Sequence, residues 1–323
     1  MATAESVGDE GDSFGLSETE RDQFAKDGFF VREDAFEKDE IDTLSGRIDE
    51  LVGQVETSSV LAEEEKRVIL KRNVKAEKRS GPESLNSVFR AHLFSRLVRD
   101  HIRAPRRLGP VSQLLGPDLF CPNDLYFFKA PGTGRPIAWH QDSWYFNNTY
   151  ESSEGSALED TSIGTWLAID DANVKNGCLW GIAGSHLAGV VEHSEIGHGE
   201  DLPVRHSADV ARSLKENEIP VEVSKGSLVF FNNALLHRST PNHSDTFRRA
   251  YVVHYMMATI RHKAAWFFRG GPKRMGDWGT VEAYIHGRQI DGCVKTTSEE
   301  ASLDWDAAVG RDLKAEEVRV SAT

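Results

Sequence analysis

The chain has 323 residues, of which 39% are hydrophobic and 28% are charged, and its formal net charge at pH 7 is -13. A chain of this length can bury a substantial core as one large domain or two small ones. The negative charge argues against a nucleic-acid partner, because binding phosphates needs basic surface. No run approaches the roughly 18 to 20 apolar residues of a membrane helix, so we expect no membrane partner.

The first fifteen residues and the cysteines indicate the cellular compartment of the protein. Residues 1–15 are acidic and rich in small residues. They lack the basic and then apolar form of a secretory signal, so we predict a disordered leader. Cys121, Cys178 and Cys293 are widely spaced and form no C-x-x-C pair. This pattern is typical of reduced thiols, and we expect a cytoplasmic protein.

The first third of the chain, residues 17–117, is predicted to be mostly helical. Ser17 and Glu20 have the S-x-x-E spacing of a capping box, which opens a helix. Gly28 is suited to end that helix, because glycine readily takes the left-handed conformation of a C-terminal cap. Residues 29–31 then predict a short strand.

Two further helical patterns follow. Apolar residues recur at helical spacing from about 39 to 55, which predicts a helix with one face on the core. The charged stretch 58–81 lacks clear periodicity and is a loose helix or a surface loop. Helical patterning returns over 85–115, with a break near Pro105.

Beyond Pro122 the pattern changes to short apolar segments separated by Gly, Pro and Asn. Such segments predict an antiparallel jelly roll over about 122–258. Two long connections, 147–162 and 186–217, interrupt it. Connections of this length tend to be functional lids or disordered, and their position after His140-Gln141-Asp142 and after Gly184-Ser185-His186 favours lids. The predicted strands are 125–129, 163–169, 178–183, 219–223, 227–231, 234–239 and 249–258.

His140 and Asp142 are candidate metal ligands. Their i, i+2 spacing would point the side chains apart on a helix, but a β-strand would place both on one face. His237 ends an apolar strand region far along the chain. Two histidines and one carboxylate leave metal positions open, which is the pattern of non-haem Fe(II) oxygenases. An H-x-D pair on its own is a weak signal, so its context matters.

The stretch after His237 predicts a pocket for a dicarboxylate. Residues 241–246 have turn composition, and 247–255 predict a returning strand. If Ser239 pairs with Arg248 across this hairpin, these two side chains lie on the same face as His237. A guanidinium beside a hydroxyl can hold a carboxylate in a partly buried pocket. A dicarboxylate bound to the metal at one end could then reach Arg248 with the other.

Five short motifs together resemble the phytanoyl-CoA dioxygenase family of Fe(II)/2-oxoglutarate-dependent oxygenases. Within this family they are most similar to the subgroup of phytanoyl-CoA dioxygenase domain-containing proteins. The resemblance implies a mainly β fold, a double-stranded β-helix (jelly roll, cupin-like) with N-terminal helices packed outside. It also implies a single dioxygenase domain over 16–290 and a C-terminal tail over 291–323. The motifs are His140-Gln141-Asp142, 164–172, 176–180, Gly184-Ser185-His186 and 237–248.

The resemblance also assigns roles by position. Arg248 would grip the distal carboxylate of 2-oxoglutarate, and Leu125 stands where relatives often have a methionine beside this cosubstrate. Some relatives hold 2-oxoglutarate with an early lysine where this chain has Ser87, and Arg90 could replace it. The implied iron ligands are His140, Asp142 and His237, and the implied cosubstrate contacts are Arg248, Ser239, Trp166, Leu125 and Gln141.

The implied reaction uses Fe(II), 2-oxoglutarate and O2 to hydroxylate a small or medium organic substrate, with release of succinate and CO2. One alternative is a cupin-like metallohydrolase or isomerase with Zn or Mn on the same triad. Another is a non-catalytic binding protein on this fold. Arg248 has no evident use in the hydrolase, and the complete triad argues against the binding protein. The prime substrate and the oligomeric state stay open.

Several of these and other side chains also have purely structural interpretations. A one-residue slip in register would make Arg249 the carboxylate partner in place of Arg248, and Trp166 could be plain core. Arg103, Arg106 and Arg107 could contact an anion such as a CoA phosphate, but a solvated helix face is the favoured interpretation.

The remaining histidines and aromatic residues near the motifs are treated in the same way. His186 is expected to order a loop. His193, His198 and His206 are expected to be solvated because they lie in an acidic stretch, with a substrate contact as the alternative. Trp144 and Tyr145 follow Asp142 directly and are candidates to contact substrate, with core packing as the alternative.

Overall fold

In a computed structural model of the chain, the described residues are 14–59, 61–73, 76, 79–152, 161–196, 204–206, 215–257, 260–262, 282–285 and 288–289. Residues 1–13 of the predicted leader and all of the predicted tail over 291–323 lie outside them. Within the described residues, no helix combines the length and the apolar composition that crossing a membrane requires.

The first helix, α1 (Glu18–Asp27), begins and ends as predicted. The Glu20 backbone N–H donates to the Ser17 hydroxyl at 3.2 Å, and the Ser17 N–H donates to the Glu20 carboxylate at 2.8 Å. Gly28 ends the helix with a φ of 84°, in the left-handed region. The strand β1 (Phe29–Arg32) follows directly.

The second helix, α2 (Lys38–Thr57), confirms the periodicity over 39–55. Its apolar stripe faces the core because residues three and four apart lie on one side of a helix. The stripe is fully buried and consists of Ile41, Leu44, Ile48, Leu51, Val52 and Val55.

The next segment differs in part from its prediction. The stretch 58–81 contains α3 (Glu63–Ile69) and the short strand β2 (Leu70–Arg72). The predicted helix over 85–115 is wrong at its start, where β3 (Leu85–Phe89) pairs antiparallel with β2 and with a strand at 124–129. Leu85 and Val88 are three residues apart and fit a helix, but the open edge of that strand supplies backbone partners. The helices α4 (Arg96–Arg103) and α5 (Pro105–Leu115) come afterwards.

The β part confirms the jelly-roll prediction. Only the predicted strand 234–239 is markedly shorter than expected, because its first residues form a turn. One more helix, α6 (Asp142–Thr149), interrupts the strands. In chain order the strands are β4 (Asp118–Cys121), β5 (Asp124–Lys129), β6 (Ile137–His140), β7 (Tyr150–Ser152), β8 (Ser162–Ala168), β9 (Leu179–Ile182), β10 (Ser194–Ile196), β11 (Val204–His206), β12 (Glu218–Val221), β13 (Leu228–Asn232), β14 (His237–Ser239), β15 (Arg248–Met257), β16 (Ile260–His262), β17 (Glu282–Ile285) and β18 (Arg288–Gln289).

Two sheets carry most of these strands. In the described residues the larger sheet has the order β1-β13-β8-β15-β4-β17-β18, with β5 also on β15, β3 on β5 and β2 on β3. The smaller sheet has the order β12-β9-β14-β6. Two small pairs, β10 with β11 and β7 with β16, fall in or beside the long connections that were predicted as lids.

The core is divided between the two faces of the larger sheet. One face packs against the helices through residues such as Ile48, Phe230 and Tyr251. The other face meets the smaller sheet through residues such as Trp166 and Val252. The space between the sheets is therefore where inward-pointing polar side chains of both sheets can meet.

Candidate metal and cosubstrate site

His140 and Asp142 lie in different elements, which corrects the prediction that one strand carries both. The strand β6 ends at His140, Gln141 is extended, and Asp142 is the first residue of α6. The helix starts here because the Ser143 backbone N–H donates to the Asn233 carbonyl at 2.9 Å, which turns the chain. The two side chains nevertheless converge, with His140 Nε2 3.6 Å from Asp142 Oδ1.

His237 completes the group from β14. It is the direct cross-strand partner of His140 in the smaller sheet. The two imidazole rings are 4.1 Å apart between centroids, and His237 Nε2 lies 3.7 Å from Asp142 Oδ2. One ligand atom from each of these three residues lies within 4.8 Å of the other two. The fold thus brings the three predicted ligands together.

Backbone carbonyls set the tautomers of both histidines. His140 Nδ1 lies 2.8 Å from the Ala138 oxygen, and His237 Nδ1 lies 2.9 Å from the Leu235 oxygen. A carbonyl oxygen only accepts, so Nδ1 carries the proton and the Nε2 lone pair faces the centre of the group. Two imidazole Nε2 atoms and one carboxylate form a donor set that fits Fe(II).

The protonation states of Asp142 and His237 suit metal binding, whereas a proton competes at His140: burial would lower its pKa, but Asp142 raises it. Burial alone would raise the pKa of Asp142, but His254, His237 and His140 together hold it well below its ordinary value. Burial, reinforced by His140, lowers the pKa of His237 to about 4. At neutral pH the carboxylate is therefore ionised and His237 is neutral, which are the forms that bind a cation.

Arg248 does not pair with Ser239, which corrects the predicted register. Arg248 pairs with Lys129 on β5 in the larger sheet, whereas Ser239 pairs with Leu179 and Ile137 in the smaller one. The two strands diverge because each finds its neighbours in a different sheet of the jelly roll, so the segment between them is a crossing and not a hairpin.

Arg248 and Ser239 each have a buried polar atom to satisfy. Arg248 is only 2% exposed, and burial lowers the pKa of its guanidinium to about 10. Its Cζ atom lies 5.7 Å from the centre of the Trp166 ring. Within the described residues, Arg248 Nε and Ser239 Oγ have no hydrogen-bond partner. Buried donors of this kind need an acceptor.

Trp166 and Leu125 flank the same residue of β15. Val252 pairs with Trp166 on one side and with Leu125 on the other. Directly paired residues share a face of an antiparallel sheet, and Arg248 shares that face by alternation. The four side chains therefore lie on the inner face of the larger sheet.

Gln141 holds the loop next to the metal site. Its amide nitrogen donates to the carbonyls of Gly189 and Ala234 at 2.9 and 2.5 Å, and its amide oxygen accepts from the Val191 N–H at 2.8 Å. These bonds use the whole hydrogen-bonding capacity of the amide nitrogen. A contact between Gln141 and the cosubstrate stays a prediction.

His193 is buried, so the expectation of a solvated side chain was wrong. Its Nδ1 donates to the Val191 oxygen at 2.7 Å, and its Nε2 accepts from the Gln141 N–H at 3.0 Å. The ring stacks on Trp144 at 5.1 Å. The acidic residues next to His193 in the chain did not indicate its contact with Gln141, which is distant in sequence. Tyr145 remains 39% exposed beside His140, so a substrate contact is still a prediction.

The arginines of α5 also contradict a solvated face. Arg107 is completely buried, donates to the Thr165 hydroxyl at 2.5 Å and lies over the Tyr251 ring. Arg106 is half-buried and pairs with Glu40 at 2.5 Å. Their charge suggested water, but the larger sheet packs over Arg107 and Glu40 of α2 pairs with Arg106.

The minor predictions near the site have mixed outcomes. His186 Nε2 lies 3.2 Å from the Ala25 oxygen, so this histidine orders a loop as expected. Ser87 is buried and pairs with Phe127 on β5. Arg90 follows β3 with a φ of 56°, a left-handed conformation that is uncommon outside glycine. A role for Arg90 in binding 2-oxoglutarate stays a prediction.

Sequence reasoning missed His254. It lies on β15, is 3% exposed, and its Nε2 is 3.8 Å from Asp142 Oδ2. Alternation along β15 places it on the same face as Arg248, and this signal could have identified it.

The chain matches a known protein family along most of its length. The family profile described as "Phytanoyl-CoA dioxygenase (PhyH)" matches residues 24–250. "Phytanoyl-CoA dioxygenase domain-containing protein 1" of Mus musculus is 29% identical over 276 residues, which cover 75% of this chain and 91% of the relative. "Phytanoyl-CoA dioxygenase" of Arabidopsis thaliana is 27% identical over 261 residues, covering 74% of this chain and 88% of the relative.

Solved structures share the fold. EctD from S. alaskensis, solved with 2-oxoglutarate and 5-hydroxyectoine, superposes with a TM-score of 0.59 at 19% identity, over 80% of this chain and 81% of that chain. The non-heme alpha ketoglutarate dependent carbocyclase SnoK from nogalamycin biosynthesis has a TM-score of 0.55 at 20% identity, over 86% of this chain and 94% of that chain. These similarities support a common jelly-roll architecture.

Proposed function

Because this chain belongs to the phytanoyl-CoA dioxygenase family and is an Fe(II)/2-oxoglutarate-dependent dioxygenase, we propose that His140, Asp142 and His237 bind its iron. The observation that carries the proposal is the convergence of their three ligand atoms within 4.8 Å. The carbonyl-bound Nδ1 atoms of both histidines add support, since they leave each Nε2 free to coordinate. The bound ion supplies the redox chemistry that couples 2-oxoglutarate and O2.

We propose that Arg248 binds the distal carboxylate of 2-oxoglutarate. Its buried guanidinium has an unused Nε, and the buried Ser239 hydroxyl offers a further donor. Trp166 packs against the guanidinium and would form one wall of the pocket, with Leu125 farther along the same face. A charged donor out of reach of water binds a carboxylate strongly, because little solvent competes with it.

The proposed reaction is hydroxylation of a small or medium organic substrate, with 2-oxoglutarate converted to succinate and CO2. The chain orients the two reactants and excludes water from the space between the sheets. We propose that Tyr145 and Trp144 contact the substrate, because Tyr145 is exposed and its ring lies 6.1 Å from that of His140. Family membership favours this reaction over the metallohydrolase, isomerase and binding-protein alternatives.

We also propose a cytoplasmic location and no nucleic-acid partner. The thiols of Cys121 and Cys178 are buried, which suits a reducing compartment. The net charge of -13 repels a phosphate backbone.

Iron retention tests the proposed ligands. The protein is mixed anaerobically with Fe(II) and 2-oxoglutarate, and the visible charge-transfer band of the Fe(II)–2-oxoglutarate pair is recorded. We expect the band in the wild type and in the control His243→Ala, since His243 is exposed and outside the site. We expect no band and no retained iron in His237→Ala. Full iron retention by His237→Ala would refute the assignment.

The substrate class can be sought in the same way. Aerobic release of succinate is measured with the loaded wild type and a library of small organic acids, amines and acyl-CoA esters. A true substrate is expected to raise succinate release above the uncoupled background and to gain one oxygen atom by mass spectrometry. Stimulation without oxygen incorporation would rule out that compound as the hydroxylated substrate.

A further inference from the structure

The carboxylate of Asp142 is surrounded by three imidazoles. Their Nε2 atoms lie 3.6 Å (His140), 3.7 Å (His237) and 3.8 Å (His254) from its nearest oxygens. The first two belong to the three-residue ligand group, and His254 does not. His254 therefore places an imidazole Nε2 beside the carboxylate, and this nitrogen is not needed as a metal ligand.

Asp142 needs more support than the other two proposed ligands. His140 and His237 are paired residues of one sheet, so the ladder between β6 and β14 fixes their backbones relative to each other. Asp142 is instead the first residue of α6, outside any strand. A carboxylate there can rotate about its side-chain torsions unless a neighbouring donor holds one oxygen.

His254 is held rigidly enough to act as that donor. Its ring is buried on β15 and packs edge-on against Phe146 at 5.2 Å and against Phe231 at 6.2 Å. Its Nδ1 lies 3.2 Å from the side-chain amide of Asn233. Both nitrogens of the ring are therefore directed, one to the Asn233 amide and one to Asp142.

Asn233 connects His254 to the start of α6. Its backbone carbonyl accepts from the Ser143 N–H at 2.9 Å, so it also anchors the residue next to Asp142. With the amide oxygen facing His254, the buried Asn233 Nδ2 has no partner within the described residues. Turning the amide by 180° lets Nδ2 donate to His254 Nδ1, which puts the ring proton on Nε2. The turned amide leaves the Asn233 oxygen without a donor instead of its nitrogen without an acceptor, and a buried unsatisfied acceptor is tolerated better than a buried unsatisfied donor.

We propose that His254 is a positioning residue of the metal site. Its Nε2 stands 3.8 Å from Oδ2 of Asp142, just beyond hydrogen-bond length, and a small rotation of the carboxylate lets the Nε2–H donate to Oδ2 while Oδ1 faces the metal. Asn233 orients the ring and fixes its tautomer. This inference rests on the proposed function, because it takes Asp142 as an iron ligand. His254 itself is not a ligand in this scheme. Carboxylate ligands of metal sites commonly have such hydrogen-bonded partners, whose removal weakens metal binding.

Two substitutions at His254 separate hydrogen bonding from packing. His254→Gln can place an amide N–H near the position of the imidazole Nε2, whereas His254→Phe keeps a ring but removes the donor. The probe is Co(II), titrated into the metal-free protein and followed by its visible absorption. We expect His254→Phe to weaken Co(II) binding by about 10- to 100-fold. We expect His254→Gln to bind Co(II) nearly as tightly as the wild type.

The outcomes distinguish this inference from the proposed function. No Co(II) binding by the wild type would overturn the metal site and the role of His254 together. Normal wild-type binding with unchanged affinity in His254→Phe would overturn only the role of His254. Equal losses in both variants, with unchanged thermal unfolding of the metal-free proteins, would assign the effect to packing and would also overturn the role.

Asn233→Ala provides a test if His254→Phe does not fold. It leaves the imidazole in place and removes only the amide that orients it, while the Asn233 backbone carbonyl still anchors α6. We expect weaker Co(II) binding in this variant as well, because the ring is then free to change tautomer. Wild-type affinity in a folded Asn233→Ala protein would contradict the proposed orienting chain.

Discussion

Arg248 and Arg249 are adjacent on β15 but face opposite sides of the larger sheet, and this arrangement allows a sharp test of cosubstrate binding. Arg248 lies on the inner face against Trp166, with an unsatisfied Nε. Arg249 lies on the outer face, and its guanidinium donates two hydrogen bonds to Asp170, at 2.8 and 2.7 Å. Replacing each with methionine removes one charge and keeps an unbranched side chain.

The two variants should show a crossed pattern. Loss of one partner of a buried ion pair costs about 3–5 kcal/mol, so Arg248→Met should weaken 2-oxoglutarate binding by about 10² to 10³·⁵-fold. The same change should leave the unfolding temperature of the cosubstrate-free protein unchanged or higher, because it removes a buried charge whose pKa burial already lowers. Arg249→Met should lower the unfolding temperature through loss of the Asp170 pair and leave 2-oxoglutarate affinity unchanged.

The assay is anaerobic titration of 2-oxoglutarate into the Fe(II)-loaded proteins, followed by the visible charge-transfer band, with thermal unfolding measured in parallel. Unchanged 2-oxoglutarate affinity in Arg248→Met would refute the assignment of the pocket. If Arg249→Met lost affinity and Arg248→Met did not, the guanidinium that binds the carboxylate would be the outer one, and the inner-face argument would be wrong.

Two further predictions concern packing and pH. A Cβ atom on Gly164 would lie 2.1 Å from the Phe231 ring, so Gly164→Ala should lower stability by about 1–3 kcal/mol and disturb metal binding through the ring of Phe231. In contrast, a Cβ atom added to Gly46 in α2 would have no neighbouring atom within 4 Å, so Gly46→Ala should raise stability by about 0.5–1 kcal/mol. Equal free energies of unfolding in urea for the two variants would contradict the packing argument. Burial, reinforced by Arg107, lowers the pKa of His101 from 6.5 to about 4, so the unfolded chain takes up a proton first as pH falls. The contribution of His101 to stability should therefore be full above pH 6.5 and decline between pH 6.5 and about 4. His101→Phe can keep the stack on Phe36 and should flatten that decline, measured as the free energy of unfolding in urea. Equal pH dependence of the unfolding free energy in both proteins would rule out the role of His101.

Local signals in the sequence were sufficient for the ends of α1 and for strands such as β5 and β8. Ser17, Glu20 and Gly28 determine where α1 begins and ends through bonds within a few residues of the chain. The strand over 125–129 and the strand over 163–169 were recognised from their composition and their turn boundaries, and both are present within a residue. These features depend on neighbours in the chain, and the sequence displays those neighbours directly.

Long-range pairing was out of reach of the same reasoning. Leu85–Phe89 has an apolar spacing that fits a helix, yet it is a strand because β5 offers a free edge. Arg107 carries a charge that normally stays in water, yet α5 packs it against the larger sheet. In both cases a partner far away in sequence outweighs the preference of the residue itself.

The candidate site combines both kinds of information. The residue types of His140, Asp142 and His237 predicted the site together with the motifs around them, because an H-x-D pair alone is a weak signal. Only the tertiary structure determined how they meet, with Asp142 at the start of a helix and His254 beside its carboxylate. The physical reason is that alternation along a strand determines which face of the sheet a side chain occupies. The packing of the two sheets determines which distant group that side chain contacts.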